Sequence, residues 1–272
     1  MMVAKLTYLL EEKMEDLLKL KGKNVVVTGV ANERSISWGI AQSLYNAGAN
    51  VIFTYRLERS FQKLTKLLEK SERPTDLIFQ LDANDDESIR TAFTAIGEKV
   101  GVIHGIVHSI AFAHAEDLKG DFIDTSREGF AFAQDTSAYS LIAIAREAKP
   151  YMTEGGSIVT MSYLGAQRAV ESYNLMGVAK AALESSVRYL AVELGKDNIR
   201  VNAISAGAIR TLAAKGVSGF NTILKVIEEK SPLKRNVTQE DVGDMTIAML
   251  SHLSRGVTGE IVYVDSGYNI VG

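Results

Sequence analysis

The chain predicts a doubly wound α/β fold of the Rossmann type: one domain built on about seven parallel strands. Three observations carry that expectation. Short β-branched runs alternate with longer segments of helical periodicity along nearly the whole chain. Runs such as Val25-Val-Val27 are continuously apolar, the pattern of a strand covered on both faces. The first run ends in Thr28-Gly29, a glycine at the first strand-to-helix turn, a position where it lets a backbone approach a pyrophosphate in folds of this type.

The strands are expected at residues 24–30, 50–55, 76–82, 102–110, 157–162, 199–205 and 260–265. Helical periodicity fills 37–47, 59–69, 86–100, 126–148, 170–194 and 239–253. With no linker, repeat or low-complexity stretch, residues 21–272 read as one domain. Residues 1–20 read as an extension, helical or disordered: Leu6, Leu9, Leu10, Met14, Leu17 and Leu18 lie at helical spacing, with acids on the other face. This segment lacks the unbroken apolar core of a signal peptide and is too acidic for a mitochondrial presequence.

Composition narrows the function. The 272 residues are 46% hydrophobic and 23% charged, with a net charge of -3, so no global field attracts nucleic acid. The absence of cysteine removes disulfides, thiolate-bound zinc and thiol catalysis, and fits a reducing compartment such as the cytoplasm. No apolar run reaches the ~20 residues of a membrane span. The four histidines show no metal-ligand spacing, and no metal is expected.

The expected strand ends carry the chemistry. The first loop lacks the usual Gly-x-Gly-x-x-Gly pattern; only Gly29 and Gly39 remain, so Gly29 marks either a nucleotide site or a tight turn. Arg56 closes the second strand where an acid commonly holds the ribose of NAD. A guanidinium there fits a ribose phosphate and favours NADPH over NADH, although Arg56 could equally pair with Glu58. Asp82 either accepts a hydrogen bond from adenine or caps a turn. Ser109, Ile110 and Ala111 are small enough to let a flat ring pass, or to pack a tight core.

Tyr173 and Lys180 stand seven residues apart, about two turns of helix, and so share a face. A phenol beside an ammonium can stabilise a nascent oxyanion. A packed tyrosine and a solvated lysine would show the same spacing.

With those residues in place the chain resembles the bacterial enoyl-acyl-carrier-protein reductases of the divergent short-chain dehydrogenase type. The matching motifs are Gly29-Val-Ala-Asn-Glu-Arg-Ser-Ile36, Phe53-Thr-Tyr-Arg56, His108-Ser-Ile-Ala-Phe112, Ser162-Tyr-Leu-Gly165, Tyr173-Asn-Leu-Met-Gly-Val-Ala-Lys180, Arg200-Val-Asn-Ala-Ile-Ser-Ala-Gly207, Ile209-Arg-Thr-Leu212 and Val264-Asp-Ser-Gly267. Six residues separate the tyrosine and lysine, where ordinary short-chain dehydrogenases have three. Glu33, Leu57, Ala208 and Ala213 depart from the family's frequent residues.

The resemblance implies a cytoplasmic bacterial homotetramer that reduces the trans-2 double bond of enoyl-acyl carrier protein, the last step of each fatty-acid elongation cycle. It implies catalytic roles for Tyr173, Tyr163 and Lys180. Gly29, Ser35 and Ile36 would line the cofactor phosphates, Arg56 and Ser60 the adenosine ribose, and Asp82 and Ala83 the adenine. Ser109, Ile110 and Ala111 would meet the adjoining cofactor, and Ile209, Arg210, Thr211, Leu212 and Ala213 would cover the nicotinamide. Ala113, Tyr163, Tyr173 and Phe220 would line the acyl pocket, within a substrate loop spanning about 210–235. The final proton would come from Tyr173, a ribose hydroxyl or relayed water. Bases between Gly216 and Arg235 are candidates to meet the acidic carrier protein. Carbonyl reduction by a short-chain dehydrogenase would call for the missing Tyr-x-x-x-Lys, and a non-enzymatic nucleotide sensor would have no need of Tyr173 or Lys180.

Overall fold

A computed structural model describes residues 17–211 and 220–271. Most of the N-terminal extension (1–16) lies outside them, as do Leu212, Ala213 and the rest of the loop to residue 219.

Seven parallel strands form one sheet: β1 (Asn24–Val27), β2 (Asn50–Tyr55), β3 (Ile78–Gln80), β4 (Gly105–His108), β5 (Gly156–Ser162), β6 (Ile199–Ala206) and β7 (Ile261–Val264). Their spatial order is β3-β2-β1-β4-β5-β6-β7, and every pairing is parallel. Alternating side chains point to opposite faces. Val26, Ile106 and Ile158 join one apolar cluster, whereas Val25, Val27, Val107 and Val159 join another. Both faces are therefore covered, which is why the strand runs are continuously apolar.

Helices α1 (Ile36–Asn46), α2 (Glu58–Lys70) and α8 (Gln239–Leu250) cover the face of Val25 and Val27, contributing Leu44, Leu68 and Val242. Helices α3 (Asp86–Val100), α5 (Ser140–Ala148) and α6 (Asn174–Leu194) cover the other face with Phe93, Leu141 and Leu183. Local signals start several of them. The Asp85 carboxylate accepts from the backbone amides of Glu87 and Ser88 at the head of α3, and Thr238 with Asp241 forms a capping box on α8.

Four expectations change. The strand runs at 24–30, 76–82 and 102–110 are shorter in the sheet: all three leave it early at their carboxyl ends as crevice loops, and the last two also join it late, at Ile78 and Gly105. The helix expected over 126–148 is interrupted. It begins as α4 (Arg127–Gln134), passes through a π-helical turn (Asp135–Tyr139) and resumes as α5. The Asn84 side chain bonds both Asp135 and Thr136 at 2.7 Å just where that turn widens. The helix expected from 170 begins instead at Asn174 with Tyr173 as its N-cap. A further helix, α7 (Phe220–Lys230), was not expected; it buries Leu224 and Ile227 beside Ala208.

Candidate active site

The strand order reverses between β1 and β4, and a crevice opens at the carboxyl ends of a sheet at such a point. Thr28 joins the two strands there. Its amide and hydroxyl both donate to the Val107 carbonyl, at 3.0 and 3.1 Å, and its Oγ1 accepts from the Ser109 amide at 2.9 Å. Gly29 follows with φ +80°, and a Cβ on it would lie 2.0 Å from the Ser109 carbonyl oxygen. The glycine is thus required by the backbone that leaves β4 at Ser109.

Ser35 closes the loop from the other end: its Oγ accepts from the amides of Ala31 and Asn32 at 3.0 and 3.1 Å. The Gln239 side chain, 204 residues along the chain, donates to the Ser35 carbonyl, and also to that of Glu33 at 3.2 Å. Ile36 opens α1, and the Glu33 side chain faces solvent.

Arg56 and Asp82 meet across the ends of β2 and β3, with Arg56 Nε donating to Asp82 Oδ2 at 2.8 Å. Arg56 does not take Glu58, which instead accepts from Gln62. Of the two alternatives read from its position, the turn cap is present: Asp82 Oδ1 accepts from the Asn84 amide at 3.1 Å, while Oδ2 holds the arginine, a partner that neither alternative included. Ser60 lies in the first turn of α2, and Ala83 is buried beside Asp82.

Tyr173, Tyr163 and Lys180 converge at the end of β5. The rings of Tyr163 and Tyr173 meet edge to face with centroids 4.7 Å apart. Gly165 lies against them; a Cβ there would come within 2.4 Å of the Tyr173 ring. Tyr173 is preceded by Ser172 at φ +62°, a left-handed conformation unusual for serine and of the kind that gathers at functional sites. It also packs on the cluster of Ala113, Leu175 and Met176, so the proposed substrate residue Ala113 is its neighbour.

Lys180 is 5% exposed, and its Nζ donates to the Met161 carbonyl at 2.7 Å. Burial lowers its pKa to about 8, against the pull of Glu184, which raises it. Burial raises the Tyr173 phenol well above the ordinary tyrosine range, with Tyr163 adding to the effect. Buried His108 bonds Thr160 and Ser140 through its two ring nitrogens at 2.8 and 2.9 Å. Desolvation first, then Lys180, lowers its pKa to about 3, so it is neutral.

Ser109, Ile110 and Ala111 follow β4 at the crevice. Ile209 packs on the apolar cluster that includes Val27, and Arg210 donates to Asn221 Oδ1 at 2.5 Å. Phe220 opens α7 and packs against the cluster of Ala208, Leu224 and Ile227. Among the described residues no group of three or more His, Cys, Asp or Glu side chains is arranged to hold a metal, and no helix is long and apolar enough to cross a membrane.

Three site residues escape the sequence reading. Gln239 and Asn84 act over long separations with no local motif. Glu184, one turn beyond Lys180, reads as an ordinary helical acid but is 4% exposed.

A glycine turn at the switch point, a cationic and an acidic residue at the next strand ends, and a tyrosine–lysine pair at the crevice define a nicotinamide-dependent reductase of the Rossmann class. A family profile described as enoyl-(acyl carrier protein) reductase matches residues 29–269. The enoyl-[acyl-carrier-protein] reductase [NADH] of Bacillus cereus is 59% identical over 256 residues, covering 93% of this chain and 99% of that protein. The corresponding [NADPH] enzyme of Staphylococcus aureus is 57% identical over 255 residues, covering 94% and 100%. A crystal structure of the Bacillus cereus enzyme with NADP+ and indole naphthyridinone superposes with a TM-score of 0.91 at 58% identity, covering 93% and 98%. The chain belongs to the enoyl-acyl-carrier-protein reductase family, oxidoreductases of fatty-acid biosynthesis that use a nicotinamide cofactor.

Proposed function

We propose that Tyr173, assisted by Tyr163 and Lys180, carries the reduction of enoyl-acyl carrier protein in this chain, with NADPH as the preferred cofactor. The supporting observation is the Tyr163–Tyr173 edge contact beside the buried Lys180 ammonium at the crevice. A bound reduced dinucleotide would supply the hydride for the β-carbon of the thioester, and a proton delivered to the α-carbon, from Tyr173, a ribose hydroxyl or relayed water, would complete the reduction. Tyr173 donates its phenolic hydrogen to the thioester oxygen as charge collects there. Its raised pKa keeps that hydrogen in place at neutral pH, so it acts as a donor and not as a base. Lys180 orients the nicotinamide ribose and stabilises the same developing charge. Tyr163, its phenol also raised by burial, packs against Tyr173 and lines the acyl side.

The crevice suits a dinucleotide. Gly29 presents backbone and no side chain, and Ser109, Ile110 and Ala111 stand at the reversal of strand order. Gly29, Ser35 and Ile36 would form the phosphate end, Asp82 and Ala83 the adenine end, and Ile209, Arg210 and Thr211 the described start of a cover over the nicotinamide. Arg56 spends Nε on Asp82, which leaves the outer guanidinium nitrogens to fork onto a ribose phosphate beside Ser60. The wild-type enzyme is expected to oxidise both cofactors with crotonyl thioester and neither with acetoacetyl thioester. Arg56→Gln should lower kcat/KM for NADPH at least about tenfold and leave NADH within about twofold. Turnover of the keto substrate alone would reverse the functional reading; equal losses with both cofactors would remove Arg56 as the selector.

The carrier protein would approach over α7. Of the bases there, Arg235 is committed to Asp241 through two bonds at 2.6 and 2.8 Å, and Lys234 caps the Glu229 carbonyl at 2.7 Å. Lys225 and Lys230 are the exposed pair that faces outward. Reversing both charges should raise KM several-fold for carrier-bound substrate and leave a small thioester unaffected. Equal effects on the two substrates would sink the docking role.

We assign the enzyme to a bacterial cytoplasm, in keeping with its bacterial relatives, and to a homotetramer. Tyr189 and Val192 on α6 are 77% and 85% exposed, with Ile142 of α5 alongside, an apolar surface of the kind that subunit contacts cover. Residues 21–272 would form the single nucleotide-binding domain, with 1–20 as its extension.

A further inference from the structure

We propose that Glu184 is a positioning residue for Lys180: its carboxylate, fastened to Ser162, is the counter-charge that keeps the lysine an ammonium and holds it against the end of β5. The inference rests on the reading of Lys180 given above.

The geometry is a two-rung ladder between β5 and α6. Met161 and Ser162 are consecutive residues of β5. The Met161 carbonyl accepts from Lys180 Nζ at 2.7 Å, and Ser162 Oγ donates to Glu184 Oε1 at 2.6 Å. Lys180 and Glu184 are one helical turn apart on the inward face of α6, 5% and 4% exposed. A carboxylate so deeply buried is costly unless it is paired, and a neutral hydroxyl donor does not offset that cost. The Lys180 ammonium, one turn back on the same helix, is the cation that interacts with it through space. Tyr163, which follows Ser162 directly, inherits its place from the same rung.

The other groups around the pair leave Glu184 as the charge that acts on Lys180. His108 faces Lys180 from β4 and is neutral, with both ring nitrogens bonded. Tyr163 and Tyr173 keep their phenolic hydrogens. On β7, Tyr263 lies in register with Ser205 of β6, itself in register with Ser162, and feels Glu184, Asp265 and Arg168. Desolvation lowers the Lys180 pKa and Glu184 raises it, to leave it near 8. Neutralising Glu184 therefore moves the loss of the ammonium to lower pH.

The test is the pH profile of crotonyl thioester turnover by the full-length enzyme with saturating reduced dinucleotide. Glu184→Gln keeps the shape and the Ser162 contact and removes the charge. Its alkaline limb should move down by about one pH unit, costing about fivefold in turnover at pH 8 and almost nothing at pH 6. Glu184→Asp should restore most of the limb. A limb that superposes on the wild-type curve, or a loss equal at every pH, overturns the proposal. If Glu184→Gln does not fold, Ser162→Ala asks the same question: a smaller movement in the same direction supports the ladder, and an unmoved limb overturns it. Lys180→Met separates the two readings. Wild-type turnover in that variant would remove the role of Lys180 itself, whereas its loss alongside an unmoved Glu184→Gln limb would remove Glu184 alone.

Discussion

Tyr173→Phe lowers turnover of an enoyl thioester about 10²–10³-fold, with affinity for the dinucleotide unchanged, when measured by steady-state oxidation and by fluorescence titration. The ring is retained, so the edge contact with Tyr163 and the apolar seat against Ala113, Leu175 and Met176 survive. Only the hydroxyl is lost, and with it the donor for charge that develops in the transition state. KM should therefore move much less than kcat. Unchanged turnover would take the oxyanion role away from Tyr173. A matching loss of dinucleotide affinity would make it a binding residue instead.

Gly29→Ala should damage the enzyme in a different way. The left-handed φ of +80° costs an L-residue about 1–2 kcal/mol. The new methyl would also drive into the Ser109 carbonyl, 2.0 Å from the ideal Cβ position, and that oxygen belongs to rigid backbone at the end of β4. Gly22 provides the control: its φ is +70°, and a Cβ there meets nothing within 4 Å. Gly22→Ala should lower Tm by a few degrees and leave cofactor affinity intact. Gly29→Ala should lower Tm further and weaken dinucleotide binding at least about tenfold, about 1.4 kcal/mol. Indistinguishable Tm and affinity in the two variants would show that the approach to Ser109 has no consequence.

The sheet was legible in the sequence because several strands carry short, continuously apolar runs, such as Val25–Val27 and Val51–Phe53, the pattern that burial on both faces leaves. The tyrosine–lysine pair was legible because its spacing is local. The strand ends were harder: residues 28–30 and 109–110 are apolar or small enough to extend a strand, and they leave the sheet because the crevice needs them as loops. The break in the helix over 126–148 falls where Asn84, from another element, bonds Asp135 and Thr136, a contact that no periodicity within the helix reveals. Glu184 was hidden for a related reason. At sequence level an acid four residues after a lysine is an ordinary surface pair, and only the packing of α6 on β5 makes it a buried one. The partner of Arg56 was also set by tertiary structure, since the local choice Glu58 gave way to Asp82 across the sheet.

The reach of Gln239 to the Ser35 carbonyl has a temporal meaning. The loop that begins at Gly29 leaves the ribosome early, but the side chain that clasps it belongs to the head of α8 and is made 204 residues after Ser35. A chain released before that point would carry the glycine turn, Arg56, Tyr173 and Lys180, yet lack the clasp on the loop after β1. The loop after β1 is thus clasped only near the end of synthesis, long after its own residues are made.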